Sequence, residues 1–170
     1  MIVSTPALLF LLFIIVQRLS ELVIARRNTA RLLERGAKEY GAGHYPVMVL
    51  LHTAWIVALV VFGHDQPVFL FWLAIYAILQ VFRIWILATL GSRWTTRIIV
   101  LDEPLVARGP FRLSNHPNYI LVVLEIFVTP MVLGLFWVAV VFSALNAAML
   151  YHRIRVENEA LSHLRGQPSR

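Results

Sequence analysis

Four long apolar stretches dominate this sequence and limit the folds that it can adopt. They lie at residues 6–24, 47–62, 68–90 and 119–150. An α-helix rises about 1.5 Å per residue, so about 20 mostly apolar residues cross a hydrocarbon core roughly 30 Å thick. Each of the first three stretches is close to the length of one crossing. These stretches therefore predict a polytopic helical membrane protein.

The last stretch is too long for one straight crossing. At the same rise per residue, residues 119–150 would extend over roughly 48 Å. Pro130 and Gly134 lie near its middle, and a proline removes a backbone donor and clashes with the preceding turn. We therefore expect two short helices joined by a hairpin. The predicted fold class is an all-α transmembrane bundle of about five spans, forming one domain over residues 1–170.

Composition supports a membrane location and excludes several kinds of site. Of the 170 residues, 59% are hydrophobic and 14% are charged, and the mean hydropathy is +0.75, unlike an average soluble domain. The chain has no cysteine, which excludes disulfides, thiolate nucleophiles and cysteine-based zinc sites, and we predict no metal site. The net charge of +6 is distributed between apolar stretches, so it favours anionic membrane lipid over nucleic acid as a partner.

The distribution of lysine and arginine predicts the orientation in the cell membrane. These residues cluster after the first, third and fifth predicted spans, whereas the turns at 63–67 and 129–134 contain none. Cytoplasmic connections carry the excess of Lys and Arg, so the N-terminus is predicted outside and the C-terminus in the cytoplasm. The long connections 26–46 and 91–117 then face the cytoplasm, and we expect the active site there. No basic residue precedes the first stretch, so we expect it to remain in the mature protein.

Polar side chains inside the predicted spans need partners. An ionised Glu125 in a span costs several kcal/mol unless it is paired or hydrated, so it should face the bundle interior. It either joins helices by bonding to Arg83 or Asn146, or takes part in the substrate cavity, and both interpretations stay open. His52 is typical of a packing residue, and Arg83 can reach an interface with its long side chain.

Two connecting segments carry most of the remaining polar residues. The basic segment 18–38 has interspersed apolar residues, which predicts an amphipathic helix on the inner membrane surface or, alternatively, a lid over the active site. The connection 91–117 contains a β-prone run at 95–101, a Gly109-Pro110 turn and a His116-Pro117 dipeptide. These turns predict a rigid loop whose backbone can face a ligand. Alternatively, the end of this loop needs no ligand, because Tyr119 is typical of a membrane interface and Pro117 is typical of the first turn of a helix.

The same loop combines with the C-terminal tail into a recognisable pattern. Leu105-Val106, Gly109-Pro110-Phe111 and His116-Pro117-Asn118-Tyr119 are followed by the helical hairpin and by Arg153, four residues before Glu157. This combination resembles the isoprenylcysteine carboxyl methyltransferase family, and most of the chain resembles its small bacterial branch. The resemblance implies methyl transfer from S-adenosyl-L-methionine to an oxygen of a lipid-like acceptor in a helical membrane fold.

The resemblance also implies roles for individual residues, with the cofactor held in the C-terminal part of the chain, about 91–165. The implied cofactor-binding residues are Pro104, Leu105, Val106, Phe111, His116, Pro117, Asn118, Tyr119 and Glu157. Arg153 would contact the substrate, and Arg153 and Glu125 are the predicted catalytic residues. For a phenol acceptor, Glu125 or His116 is the candidate general base. The chain departs from the family pattern at Phe111, Asn115 and Asn158, where Tyr, Arg and a second Glu are common.

Several alternatives remain open from the sequence. The acceptor can be a prenylcysteine carboxylate or a long-chain phenol, pyrone or quinone. An NADPH-dependent membrane reductase of the sterol-reductase type has a comparable HPxY-containing C-terminal part, and cofactor binding distinguishes it from a methyltransferase. In a non-catalytic membrane scaffold, Arg153 with Glu157 and Arg155 with Glu159 would be ordinary ion pairs four residues apart on a helix.

Overall fold

The structure is a computed structural model that describes residues 4–162, so the last residues of the predicted cofactor-binding part, 163–165, lie outside it. Within the described range the chain is mainly helical. The helices are α1 Thr5–Glu34, α2 Tyr45–Gly63, α3 Leu70–Leu90, α4 Pro117–Val132 and α5 Phe136–Leu161. Two strands, β1 Lys38–Tyr40 and β2 Ile98–Val100, pair antiparallel with Glu39 opposite Ile99.

The predicted helical membrane bundle is confirmed. Helices α1, α2, α3 and α5 are long and apolar enough to cross a membrane, whereas α4, with 16 residues, is a shorter apolar helix. The predicted hairpin is present, because α4 ends at Val132 and α5 begins at Phe136. Gly134 has a φ of +67°, and a Cβ there would lie 2.8 Å from the ring of Phe69, so the turn requires a residue without a side chain.

The basic segment after the first apolar stretch is not a separate element. Helix α1 continues unbroken to Glu34, about 45 Å at the usual rise, so the prediction of a separate surface helix over 18–38 is wrong. The alternative of a lid over the active site stays a prediction. Glu21 and Asn28 are seven residues apart and both buried. Asn28 Nδ2 donates to the carbonyls of Gly91 at 3.1 Å and Trp94 at 2.9 Å. The polar residues therefore bind α1 to the bundle rather than to a membrane surface.

Backbone contacts define the two ends of the bundle. At one end, Ser4 N donates to His64 O at 3.3 Å, and Phe69 N donates to Val132 O at 2.8 Å. These contacts place the start of α1, the α2–α3 turn and the α4–α5 turn next to one another at this end. The β1–β2 pair, the connection 91–117 and the end of α5 lie at the opposite end. The start of α1 and the end of α5 are thus on opposite ends of the bundle.

Helix α4 is the central helix, packed between α3 and α5. Its buried residues include Leu121, Ile126 and Val132, which have almost no accessible surface. Large apolar residues elsewhere are exposed, for example Phe71 and Ile78 on α3. Such exposure suits a helix face in contact with lipid, because burial in the protein is then unnecessary.

A buried ionic network joins α1, α3 and α4. Glu125 accepts hydrogen bonds from Arg83 Nε at 2.7 Å, from Arg83 Nη2, from Arg18 Nη2 at 2.8 Å and from Gln80 Nε2 at 3.1 Å. Glu21 accepts from Arg18 Nη1 and Arg83 Nη1, both at 3.0 Å. Two arginines thus balance two glutamates, which is how buried charges are tolerated away from water. The pairing with Arg83 that the sequence left open is present, and Arg18 is an additional partner.

Candidate active site

The connection between α3 and α4 is held in place by polar contacts within itself and with α1, β1 and α5. Arg93 Nη1 donates to the carbonyl of Pro104 at 2.8 Å, and Arg93 also pairs with Glu103. The predicted β-prone run forms β2, but its partner β1, in the α1–α2 connection, was not predicted. The β pair joins this connection to the end of α1 and closes one end of the bundle.

The His116-Pro117 dipeptide places the next site residues at the start of α4. A residue before proline disfavours helical backbone, and His116 is the non-helical residue immediately before α4. Its backbone N–H donates to Ser114 Oγ at 3.1 Å. Its ring stacks on Tyr119 with centroids 5.4 Å apart, and its Nε2 lies 3.0 Å from Asn158 Oδ1. Asn158, one of the departures from the family pattern, therefore contacts the motif histidine directly.

A polar cluster connects this loop to α5. Tyr119 Oη donates to Glu157, whose Oε2 also lies 3.8 Å from His116 Nδ1. Arg153 Nε donates to Tyr119 Oη at 2.9 Å, and Arg153 Nη2 donates to the carbonyl of Thr96 at 2.6 Å. Tyr119 therefore bridges Arg153 and Glu157, which form no direct ion pair within residues 4–162. The structure brings His116, Tyr119, Arg153 and Glu157 together from two distant parts of the sequence.

A cavity of about 620 Å³ lies beside this cluster. Its wall combines apolar and aromatic side chains, among them Leu32 near the end of α1, with five charged residues, namely Arg93, Arg97, Glu103, Arg153 and Glu157. The sequence-predicted site residues that line it are Leu105, Val106, Phe111, His116, Pro117, Asn118, Tyr119, Arg153 and Glu157. Pro104 is placed next to these residues by the hydrogen bond from Arg93 and does not line the cavity.

A second, smaller cavity of about 170 Å³ lies inside the bundle, with walls from all five helices and from residues 94–96 of the connection. Its lining is mainly apolar and includes Val49, Ile56 and Val122. The residues that line both cavities are Trp94, Thr95, Asn118, Tyr119 and Arg153. The two cavities therefore adjoin at the Tyr119–Arg153 contact.

Glu125 is separate from this cluster. It lines neither of the two cavities, and its side chain has no accessible surface. Both of its oxygens accept hydrogen bonds in the ionic network. This environment gives Glu125 a clear structural role, and the catalytic role expected from the sequence stays a prediction.

Sequence reasoning missed several residues around Arg153. Met48 Sδ lies 2.9 Å from Arg153 Nη1, and the Thr96 contact uses a backbone carbonyl. Trp94 is buried and lines both cavities. A backbone contact leaves no side-chain signal in a sequence, so Thr96 could not have been found. A tryptophan in a polar loop next to a β-prone run was a signal that could have pointed to Trp94.

The fold and the site together define a polytopic helical membrane protein with adjoining polar and apolar cavities toward one end of its bundle. The family model of isoprenylcysteine carboxyl methyltransferase (ICMT) matches residues 72–163, which include the connection, the helical hairpin and the tail. The chain belongs to the ICMT family. This membership supports a membrane methyltransferase-type activity.

Two bacterial relatives extend the similarity over most of the chain. YpbQ of Bacillus subtilis (strain 168), described as uncharacterized, is 37% identical over 160 residues, covering 90% of this chain and 95% of the relative. An uncharacterized protein of Haemophilus influenzae is 26% identical over 156 residues, covering 86% of this chain and 90% of the relative. No solved structure matches the chain significantly.

Proposed function

We propose that this protein is an S-adenosyl-L-methionine-dependent O-methyltransferase that acts on a lipid-like acceptor at the cytoplasmic face of the membrane. The proposal rests on two chemically different cavities that meet at Tyr119 and Arg153. The chain that contains them belongs to the ICMT family. A two-substrate transfer needs both substrates held side by side with their reacting atoms close together.

The larger cavity fits the proposed cofactor. Its volume of about 620 Å³ is within the roughly 300–1,000 Å³ typical of small-molecule sites. Glu157 supplies a carboxylate opposite a cationic ligand, and the rings of Phe111 and Tyr119 supply aromatic surface. The residues that would hold the cofactor are those implied by the family pattern, including Pro104 beside the cavity.

When bound, S-adenosyl-L-methionine would supply a methyl group on a sulfonium to the acceptor oxygen, which is either that of an ionised carboxylate or that of a phenol whose proton goes to a base, and S-adenosylhomocysteine would be left. Glu157 neutralises positive charge in the cavity and is itself oriented by Tyr119. Arg153, at the boundary of the two cavities, orients the acceptor oxygen and pairs with the negative charge that the oxygen carries before the methyl group reaches it. His116 is the candidate base for a phenol, since it lines the larger cavity, whereas a carboxylate needs no base.

The smaller cavity suits the ring or head of an amphiphile. Its wall includes Leu22 of α1 and Val49 of α2, which each keep 38% of their surface accessible. An acceptor tail can leave the cavity between these two helices into lipid. This supports a lipophilic acceptor, such as a prenylcysteine carboxylate or a long-chain phenol, pyrone or quinone.

Cofactor binding tests this proposal directly. Purified protein in detergent is titrated with S-adenosylhomocysteine and, separately, with NADPH, and we expect binding of the former. Glu157→Gln removes the carboxylate charge and should weaken S-adenosylhomocysteine binding by about 1–3 kcal/mol, the typical cost of losing a charged hydrogen-bond partner.

Glu159→Gln is the matched control, because Glu159 is exposed on the same helix and lines neither of the two cavities. Its affinity should equal that of the unmodified protein. Binding of NADPH instead of S-adenosylhomocysteine would favour the membrane reductase alternative. Binding of neither compound by the folded protein would favour a non-catalytic scaffold.

A further inference from the structure

The smaller cavity contains a histidine with one ring nitrogen that can accept a proton. His52 lies on α2 and lines this cavity. Its Nδ1 lies 2.9 Å from the carbonyl oxygen of Met48. A carbonyl oxygen only accepts hydrogen bonds, so Nδ1 carries the ring hydrogen and donates it. In the neutral ring, the lone pair that can accept a proton is therefore on Nε2.

This second nitrogen is unpaired and accessible. Within residues 4–162, His52 Nε2 has no hydrogen-bond partner. The side-chain polar atoms in this range that are both unpaired and closed off from solvent belong to five other residues. His52 as a whole is half-buried. Its Nε2 therefore keeps accessible surface that a ligand can reach.

The face of α2 that carries His52 is the face turned to the cavity. The other α2 residues that line the cavity are Tyr45, Met48, Val49, Thr53 and Ile56. With His52 they have the i, i+3, i+4, i+7, i+8 spacing of one helix face. The guanidinium groups of Arg18, Arg83 and Arg153 line the same cavity and interact electrostatically with the ring of His52. The ring therefore points into the bundle and not to lipid.

His52 is also next to the residue that would orient the acceptor. Met48 connects the two side chains, because its carbonyl oxygen accepts from His52 Nδ1 and its Sδ lies 2.9 Å from Arg153 Nη1. Residues four apart on a helix are neighbours on successive turns. An acceptor oxygen beside Arg153 is therefore in the same part of the cavity as the ring of His52.

The other titratable groups that line the smaller cavity already have partners or stay protonated. Its arginines keep their protons in proteins. Glu21 is ion-paired with both Arg18 and Arg83. The hydroxyls of Tyr45 and Tyr119 are hydrogen-bonded to neighbouring side chains. Among the described residues of this cavity wall, His52 is left as the group that can take a proton.

The histidine of the family pattern is placed differently. His116 lines the larger cavity and not the smaller one. Its Nε2 lies 3.0 Å from Asn158 Oδ1, and its Nδ1 lies 3.8 Å from Glu157 Oε2. Both of its ring nitrogens thus face groups on α5. His52 Nε2 instead faces the space proposed for the acceptor.

We propose that His52 is the general base for a hydroxyl acceptor and that it acts through Nε2. The acceptor O–H bond breaks and its proton passes to Nε2, while the oxygen forms the new bond to the methyl carbon. The electron pair of the broken S–C bond stays on sulfur, and the proton leaves His52 for water once the product has left. The inference rests on the proposed function. It adds a catalytic residue outside residues 72–163, which the ICMT family model matches.

Binding without the cofactor tests the contact between His52 and an acceptor hydroxyl. The affinities of 3-pentadecylphenol and its methyl ether, 3-pentadecylanisole, are measured on the purified full chain in detergent by intrinsic tryptophan fluorescence. The unmodified protein should bind the phenol roughly three- to tenfold more tightly, as expected for one additional neutral hydrogen bond. His52→Phe keeps a ring but has no nitrogen, so it should abolish this preference.

His64→Phe is the matched control. His64 Nδ1 also lies near the carbonyl four residues before it, that of Val60, at 3.2 Å. However, His64 is at the opposite end of the bundle and lines neither of the two cavities. Its preference for the phenol should be unchanged. If His52→Phe does not fold, His52→Leu is scored by the same ratio of affinities. Equal affinities in the unmodified protein, or a preference that survives the loss of the ring nitrogens, would overturn the inference.

Methyl transfer distinguishes a base from a residue that only binds the acceptor. Labelled S-adenosyl-L-methionine is supplied with 3-pentadecylphenol or with a nitro-substituted analogue at a pH above the analogue's own pKa, where the analogue is already ionised. His52→Gln should lower transfer to the phenol by about a hundredfold or more, as is typical for loss of a general base. Its transfer to the ionised analogue should fall far less. Equal losses on both acceptors, or a loss in His116→Gln but not in His52→Gln, would overturn the inference.

The two proposals can fail separately. A phenol preference that depends on His52, with no transfer and no binding of S-adenosylhomocysteine by the folded protein, supports the contact and contradicts the proposed function. Transfer to the phenol by His52→Gln at the unmodified rate contradicts the role of His52 alone. Binding of S-adenosylhomocysteine without transfer to either phenol by the unmodified protein would also overturn that role, because no hydroxyl would then give up a proton.

Discussion

Arg153 lines both cavities and contacts three separate parts of the chain. It is 5% exposed, and three of its nitrogens contact three different parts of the chain: Tyr119 Oη, the carbonyl of Thr96 and Met48 Sδ. A planar guanidinium can make these contacts simultaneously because its donors diverge in fixed directions. The residue thus holds the loop, α2 and α4 together at the point where the acceptor would react.

Arg153→Lys should therefore impair methyl transfer while changing cofactor affinity little. Lysine keeps the charge but has one nitrogen, which cannot bond to Tyr119 and Thr96 in the same geometry. We expect transfer to fall by about ten- to a hundredfold, corresponding to the loss of charged hydrogen bonds. The measurement is transfer from labelled S-adenosyl-L-methionine in membranes, together with S-adenosylhomocysteine titration.

Arg155→Lys is the control for charge on the same helix. Arg155 is exposed and lies over the ring of Tyr151 with its Cζ 6.0 Å from the ring centroid. We expect its transfer rate to remain near that of the unmodified protein. A transfer rate in Arg153→Lys equal to that in Arg155→Lys would show that Arg153 does not orient the acceptor.

At the scale of helices, the ionic network explains how charged residues on three helices are tolerated inside the bundle. Arg18 on α1, Arg83 on α3 and Glu125 on α4 would each be costly in lipid alone. Together with Glu21 they form a charge-balanced group inside the bundle. The network also keeps α1 against α3 and α4, and thereby positions Leu32 and Asn28 near the larger cavity.

Glu125→Gln should destabilise the helix packing rather than abolish the chemistry selectively. The change leaves Arg18 and Arg83 with one carboxylate partner, and breaking a buried ion pair costs about 3–5 kcal/mol. The free energy of unfolding is measured in mixed detergent micelles. The exposed Glu159→Gln should change it by less than about 0.5 kcal/mol. Lost methyl transfer with unchanged stability would instead support the catalytic role predicted for Glu125.

In the molecule as a whole, the clustered arginines and the larger cavity lie at the same end of the bundle. Arg35, Arg93 and Arg97 lie at the end that carries the β pair and the larger cavity. The turns at the opposite end, 63–69 and 132–135, contain no lysine or arginine. The excess of positive charge in cytoplasmic connections then predicts that the cavities open near the cytoplasm, where S-adenosyl-L-methionine is soluble.

Single cysteines test this orientation in the full chain, because the protein has none of its own. Asp65, Asp102 and Ser162 are exposed positions in the α2–α3 turn, the connection 91–117 and the end of α5. With a membrane-impermeant maleimide, we expect Asp65→Cys to react in intact cells. Asp102→Cys and Ser162→Cys should react only after permeabilisation. Labelling of Ser162→Cys in intact cells would contradict the predicted cytoplasmic C-terminus.

The cysteine-free protein gives the background signal for this experiment. Reaction of Asp65→Cys and Ser162→Cys from the same side would mean an even number of crossings. That result would contradict the opposite placement of the two bundle ends in the membrane. The Asp102→Cys result separately reports the side on which the larger cavity lies.

The elements of this fold follow from local sequence patterns. Apolar stretches of about one membrane thickness predict the helices, and Pro130 with Gly134 predicts the hairpin between α4 and α5. The β-prone run predicts β2. The motif residues His116 and Tyr119 are close in sequence, so the loop that presents them was also predictable. These features depend on backbone geometry and on the thickness of the bilayer, both of which act over short segments.

Tertiary structure alone decided which distant groups meet. The sequence marks Glu125 as needing a partner, but only the packing of α1 against α3 and α4 brings Arg18 to it. Likewise, only the fold places the carbonyl of Thr96 on Arg153. The physical reason is that buried polar groups are paired by geometry across many residues, and no local pattern encodes that distance.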